Sequence, residues 1–60
     1  MKTIISHIDL AKKLSSIHAE KTNKEVYRAE QDLIWNYHTG DLVELASEYT
    51  GESFIIYNRP

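Results

Sequence analysis

Gly51-Glu52-Ser53-Phe54-Ile55-Ile56-Tyr57 decides the fold class of this 60-residue chain. The run Phe54–Tyr57 is rich in β-formers, too short for a helix and preceded by a glycine, so it reads as a strand. A partner strand is available near the other end, Thr3-Ile4-Ile5. A two-stranded ribbon is marginal unless it packs on something. Pairing the two segments across the intervening helices would supply that support and bury both Ile pairs. The expected fold is therefore α+β: a compact three-helix unit with a short two-stranded β element from the termini, as a single small domain over residues 1–60. An all-α three-helix bundle with an extended C-terminus is the alternative.

Three helix starts lie between the strands. Ser6-His7-Ile8-Asp9 fits a capping box, with Ile5 and Leu10 at the positions of a hydrophobic staple. The first helix is expected from His7 to about Glu20, with Leu10, Leu14 and Ile17 on one face and Ala11 and His18 beside it. Thr22-Asn23-Lys24-Glu25 reads as a second capping box, opening a helix from Asn23 to His38 with Val26, Ala29, Leu33 and Tyr37 as its stripe. Gly40 would follow as its C′ residue. Asp41-Leu42-Val43-Glu44 marks the third start. Leu42, Leu45, Ala46 and Tyr49 form its apolar side, Asp41, Glu44 and Glu48 the opposite side, and Gly51 its end.

Size limits what such a chain can do. A domain of 60 residues buries only about 60% of the surface its unfolded form exposes, and its core rarely supplies more than about 3–5 kcal/mol. There is no cysteine to staple it, so a homodimer is a reasonable expectation on size alone. No apolar run approaches the roughly 20 residues of a membrane helix, and Met1–Ser6 lacks the apolar region of a signal peptide. A cytoplasmic protein without membrane partners is expected.

The charges are unevenly placed. Residues 1–28 carry six basic side chains and three acidic ones, whereas residues 29–60 carry one basic side chain, Arg59, and six acidic ones. The net charge of −2 thus hides a dipole, which bears on partners rather than on fold. Asp32, Asp41, Glu44, Glu48 and Glu52 have three readings: a mimic of a phosphate backbone, a surface that steers the protein to a basic patch, or a solvated face with Asp41 and Glu44 suited to a helix N-terminus.

Trp35 is the sharpest anomaly. On the wheel of the second helix it falls about 180° from Val26, on the side of Arg28 and Asp32. One reading is an exposed anchor for a protein partner, since Trp and Arg are enriched at binding hot spots. The other is a central helix packed on both faces, with Trp35 in the core. A cation–π contact to Arg28 suits either. Glu30 is the converse, at about 40° on that wheel, inside the apolar stripe, where its stem would lie along the rim with its head in water.

Catalysis has little to build on. There is no cysteine, no Gly-x-Ser-x-Gly and no Gly-rich loop before a helix. A chain of this size also lacks material to enclose a ligand pocket of about 300 Å³ or more. His7 and His18 share a face of the first helix but sit about 16 Å apart, too far for one ion. No cofactor or metal is expected, and His18 reads as an apolar-face histidine with a hydrogen-bond partner.

Ile8-Asp9-Leu10-Ala11-Lys12-Lys13-Leu14 resembles the first helix of many helix-turn-helix DNA-binding domains. The likeness covers seven residues, and the helical pattern continues through Ser15–Ala19 where that class turns. With the turn at Lys21-Thr22 instead, the resemblance implies a recognition helix presenting Lys24, Tyr27, Arg28 and Gln31, with Lys12, Lys13 and Lys21 near phosphates.

The expected function is a small noncatalytic protein-binding module, an inhibitor or adaptor that occupies a basic surface of a larger partner. Its size and charge are similar to those of small phage-encoded proteins that bind host enzymes or defence complexes. Trp35, Arg28, Asp32, Asp41, Glu44 and Glu48 are the expected contact residues, and a nucleic-acid-binding protein is one candidate for the partner. A helix-turn-helix-like regulator using the second helix is the alternative; direct nucleic-acid binding is disfavoured by Glu25 and the net negative charge.

Overall fold

The computed structural model describes residues 3–57, so Lys2 and Arg59, counted above in the charge asymmetry, lie outside the described residues. The order of elements is β1 (Thr3–Ile5), α1 (His7–Thr22), α2 (Val26–Trp35), α3 (Thr39–Thr50) and β2 (Phe54–Ile56). This is the three-helix α+β arrangement. β1 and β2 pair in parallel, with Thr3 opposite Phe54, Ile4 opposite Ile55 and Ile5 opposite Ile56.

The ribbon does not bury both Ile pairs. Ile5 and Ile56 pack against the core beside the buried Phe54, while Ile4 and Ile55 are exposed. Consecutive strand residues point to opposite faces, so only one member of each pair can reach the helices.

α1 starts as its sequence dictates: the Ser6 hydroxyl accepts the Asp9 N–H at 3.1 Å. Its other end differs from expectation. Thr22 is the last residue of α1, and its hydroxyl donates to the His18 carbonyl at 2.6 Å. Asn23 takes a left-handed conformation (φ 56°), a region Asn tolerates better than most residues. Lys24 N–H then bonds back to the Ala19 carbonyl at 2.9 Å. The expected capping box at Thr22–Glu25 is thus spent on ending α1, and α2 begins at Val26 after Glu25, without a side-chain cap.

α2 ends at Trp35, short of His38, and α3 starts at Thr39 with His38 as its N-cap. Gly40 therefore lies in the first turn of α3. Asp41 shares that turn, where its carboxylate suits the positive end of the helix dipole. Tyr37, expected on the α2 stripe, packs against the core from the α2–α3 connection.

The core unites Leu10, Ala11 and Leu14 of α1, Leu33 of α2, Leu42 and Ala46 of α3, and Phe54 of β2. α1 packs most extensively on α2 and less on α3. Val26, expected at the centre of the α2 stripe, is half exposed, and Ala29 and Leu33 alone are buried on that helix.

Gly51 ends α3 in the left-handed region (φ 76°), its N–H bonded to the Ser47 carbonyl at 2.8 Å. A Cβ there would meet nothing within 4 Å, so the penalty for Gly51→Ala is conformational alone, about 1 kcal/mol. The expected result is a melting temperature lower by about 4–8 °C, with Gly51→Asn falling between the two in a thermal melt.

Candidate binding site

α2 is held by its inner residues and offers its outer ones. Ala29 and Leu33 anchor it to the core, while Tyr27, Arg28 and Trp35 are exposed. Trp35 is 77% exposed and Tyr27 70%, which places Trp35 on the surface and ends the reading of α2 as packed on both faces. Its indole Nε1–H donates to Gln31 Oε1, one turn earlier, at 2.9 Å. Arg28 makes no cation–π contact with it; among the described residues that contact is Lys21 Nζ over the Tyr49 ring, 5.4 Å from the centroid.

An open groove runs along this face, lined by Lys24, Glu25, Tyr27, Arg28, Gln31, Asp32, Trp35 and Asn36. Two of these side chains are cationic, two anionic and two aromatic. The groove is open to solvent.

The expected contact set divides here. Trp35, Arg28 and Asp32 line the groove; Asp41, Glu44 and Glu48 are exposed on α3 and do not. Asp32 is also not a solvated acid. Its Oδ2 lies 2.8 Å from His18 Nε2 and 3.8 Å from Lys24 Nζ, and its Oδ1 accepts from Asn36 Nδ2 at 2.7 Å. Expectation counted it with the acidic face because helix spacing reports direction around α2, not what α1 places opposite. Glu30 is half-buried, as a rim position requires.

His18 is the residue whose importance spacing only half revealed. It is 2% exposed, and its two ring nitrogens join α2 to α3. A carboxylate can only accept, so Nε2 carries the hydrogen toward Asp32; in the neutral ring Nδ1 then accepts from the Tyr49 hydroxyl at 2.8 Å. Tyr37 meets the ring edge-on at 5.8 Å between centroids. The apolar-face position of His18 forecast a hydrogen-bond partner, but neither Asp32, 14 residues away, nor Tyr49, 31 away, is identifiable from sequence.

Asp32, His18 and Tyr49 form a chain of two hydrogen bonds, carboxylate to imidazole to phenol. Burial pushes the Tyr49 phenol above its ordinary value, with coulombic interactions from Tyr37 and from the carboxylates of Glu48 and Asp32 adding to the shift. A phenol shifted in this direction stays a neutral donor to His18. The hydrogen bond from His18 holds the Asp32 carboxyl below its usual range, assisted by Asn36 and Lys24 and opposed by burial. A depressed carboxyl stabilises the fold above the unfolded-state value of 3.8, and that contribution is lost as pH falls through the lower folded value. Urea midpoints measured down the acid limb should accordingly fall more steeply below pH 3.8 for the wild type than for Asp32→Asn.

Comparison with protein-family models, with curated proteins and with solved structures finds no match for this chain. Among the described residues no helix is long and apolar enough to cross a membrane.

Proposed function

We propose that this protein is a small noncatalytic binding module that docks on a larger protein through the outer face of α2. The observation that carries the reading is Trp35: a largely exposed indole, oriented by Gln31, beside Arg28 and near a second exposed aromatic, Tyr27. Exposed Trp and Arg on a rigid element are the residues that dominate binding energies, and a side chain already held in place loses little freedom on docking. The exposed Asp41, Glu44 and Glu48 of α3 add a negative field that favours encounter with a basic surface. In this reading the protein acts by occupying that surface, as an inhibitor or adaptor.

A helix-turn-helix-like role is the second reading, and one observation favours it. α1 and α2 are joined by Asn23, Lys24 and Glu25, with Asn23 left-handed, and Lys24, Tyr27, Arg28 and Gln31 all line the α2 groove. A short turn between two packed helices is the geometry of that motif.

Affinity capture of the tagged protein from lysate, with and without nuclease, separates the two. A stoichiometric protein retained by wild type after nuclease, and released by Trp35→Ala, supports docking on a protein. Retention of nucleic acid, with companions lost on digestion, supports the second reading and removes the first.

A further inference from the structure

We propose that Arg28 is the residue by which the α2 face selects its partner, and that it takes a carboxylate: an Asp or Glu side chain set among apolar residues of the docking segment. This rests on the reading of α2 as the docking face and names the chemistry that the face accepts.

An arginine on a helix surface ordinarily finds acceptors three or four residues away. For Arg28 those positions are Gln31 and Asp32 ahead of it and Glu25 behind it. Gln31 Oε1 accepts the Trp35 Nε1–H at 2.9 Å. Asp32 is engaged elsewhere: its Oδ2 lies 2.8 Å from His18 Nε2 and 3.8 Å from Lys24 Nζ, and its Oδ1 accepts from Asn36 Nδ2 at 2.7 Å. Glu25 forms no ion pair among the described residues. The buried His18 thus draws away the acid that would neutralise Arg28 from one turn along. An exposed guanidinium is left without an ionic partner among the described residues.

That guanidinium lines the groove together with the exposed Tyr27 and Trp35. Its planar fork of donors matches a carboxylate or a phosphate bidentately, and the aromatic rings offer apolar contact to whatever flanks the anion. Charge balance chooses between the two anions. The lining sets Lys24 and Arg28 against Glu25 and Asp32. A nucleic acid gains affinity by neutralising many phosphates at once, and here it would meet as many anions as cations. A single carboxylate needs one cation, and Arg28 is the one that does not already face an acid, since Lys24 faces Asp32. The acids of α3 lie outside the groove. They attract a basic surface at large, while Arg28 fixes the register on one acid within it.

Panning the full chain against random peptides displayed on phage tests this. Selected peptides should carry Asp or Glu flanked by apolar residues, and a synthetic copy should bind at least about tenfold more weakly to Arg28→Gln. Arg28→Lys, which keeps the charge without the fork, should recover part of that loss. With Arg28→Glu the selection should turn to peptides bearing Lys or Arg. These variants should keep the wild-type circular dichroism spectrum, because Arg28 is exposed. The acid preference of the wild-type selection is read without any variant, so it decides even where a substitution unfolds the chain. Peptides that are released by Trp35→Ala but show no acid preference, or that ignore Arg28→Gln, overturn the proposal and leave the docking reading standing. Failure to select any peptide that Trp35→Ala releases removes both. A fluorescent single-stranded oligonucleotide serves as the counter-probe: its binding to wild type, lost in Arg28→Gln, would assign the guanidinium to phosphate and overturn the proposal.

Discussion

His18→Ala should remove most of the protein's stability. The substitution empties a buried site that packs against Tyr37 and removes two hydrogen bonds of 2.8 Å that join three helices. Large-to-small changes in a core cost about 2–5 kcal/mol, and each polar group left half-buried without its partner adds about 1–3 kcal/mol. Asp32 and Tyr49 are each partly reached by water, which lessens the second contribution. A combined loss of about 3 kcal/mol is the reasonable sum, against the roughly 3–5 kcal/mol that a core of this size supplies. Urea denaturation of wild type and variant measures it. His18→Gln, which keeps a donor for Asp32 but no ring, should fall between them. In any variant that stays folded, the Asp32 carboxyl should rise toward its ordinary range, because the bond from His18 is the largest cause of its depression. A loss below about 1 kcal/mol, within the range of an ordinary surface change, would show that the network is not what holds α2 and α3 on α1.

Trp35→Ala should have the opposite signature: full stability and lost binding. The indole is 77% exposed and its one hydrogen bond is to Gln31, also on α2. Removing it opens no cavity, so the unfolding free energy should change by no more than about 0.5 kcal/mol. At a docked interface, truncation of a Trp anchor costs about 2 kcal/mol or more, or roughly thirtyfold in dissociation constant. Titration calorimetry against the captured partner would read this directly. Charge variants then assign the rest of the surface. If α3 steers the encounter, Glu44→Gln with Glu48→Gln should slow association and flatten its salt dependence, with little effect on dissociation. If α2 instead reads nucleic acid, Lys24→Gln and Arg28→Gln should dominate, and affinity should fall steeply with salt. Unchanged affinity in Trp35→Ala would remove the α2 face from the interface.

The three helices and both strands are readable from local signals, and the reasons are local. Ser6 and Asp9 cap α1 within one turn, Gly51 supplies a positive φ that other residues resist, and Phe54–Ile56 can form little but a strand. Element boundaries that depend on competition were not readable. Thr22 and Glu25 match a capping box on paper, yet α1 continues through Thr22 because its hydroxyl finds the His18 carbonyl and Asn23 accepts a left-handed turn. Gly40 looks like a stop for α2, but α2 has already ended at Trp35, and Gly40 lies in the first turn of α3.

The candidate site divides along the same line. Helical periodicity alone put Trp35 opposite the apolar stripe of α2 and put Asp41, Glu44 and Glu48 together on α3, since both follow from 100° per residue along one helix. Whether Trp35 meets water or a second layer depends on what the rest of the chain lays over it, and only the tertiary arrangement leaves that face open. Asp32 is the plainest case. Its sequence neighbours make it one more acid in a run without a lysine or arginine; its spatial neighbours, His18, Asn36 and Lys24, make it part of the clasp between α1 and α2. Periodicity is a property of one helix and is written in the sequence, whereas a hydrogen bond across 14 residues exists only once two helices have been packed against each other.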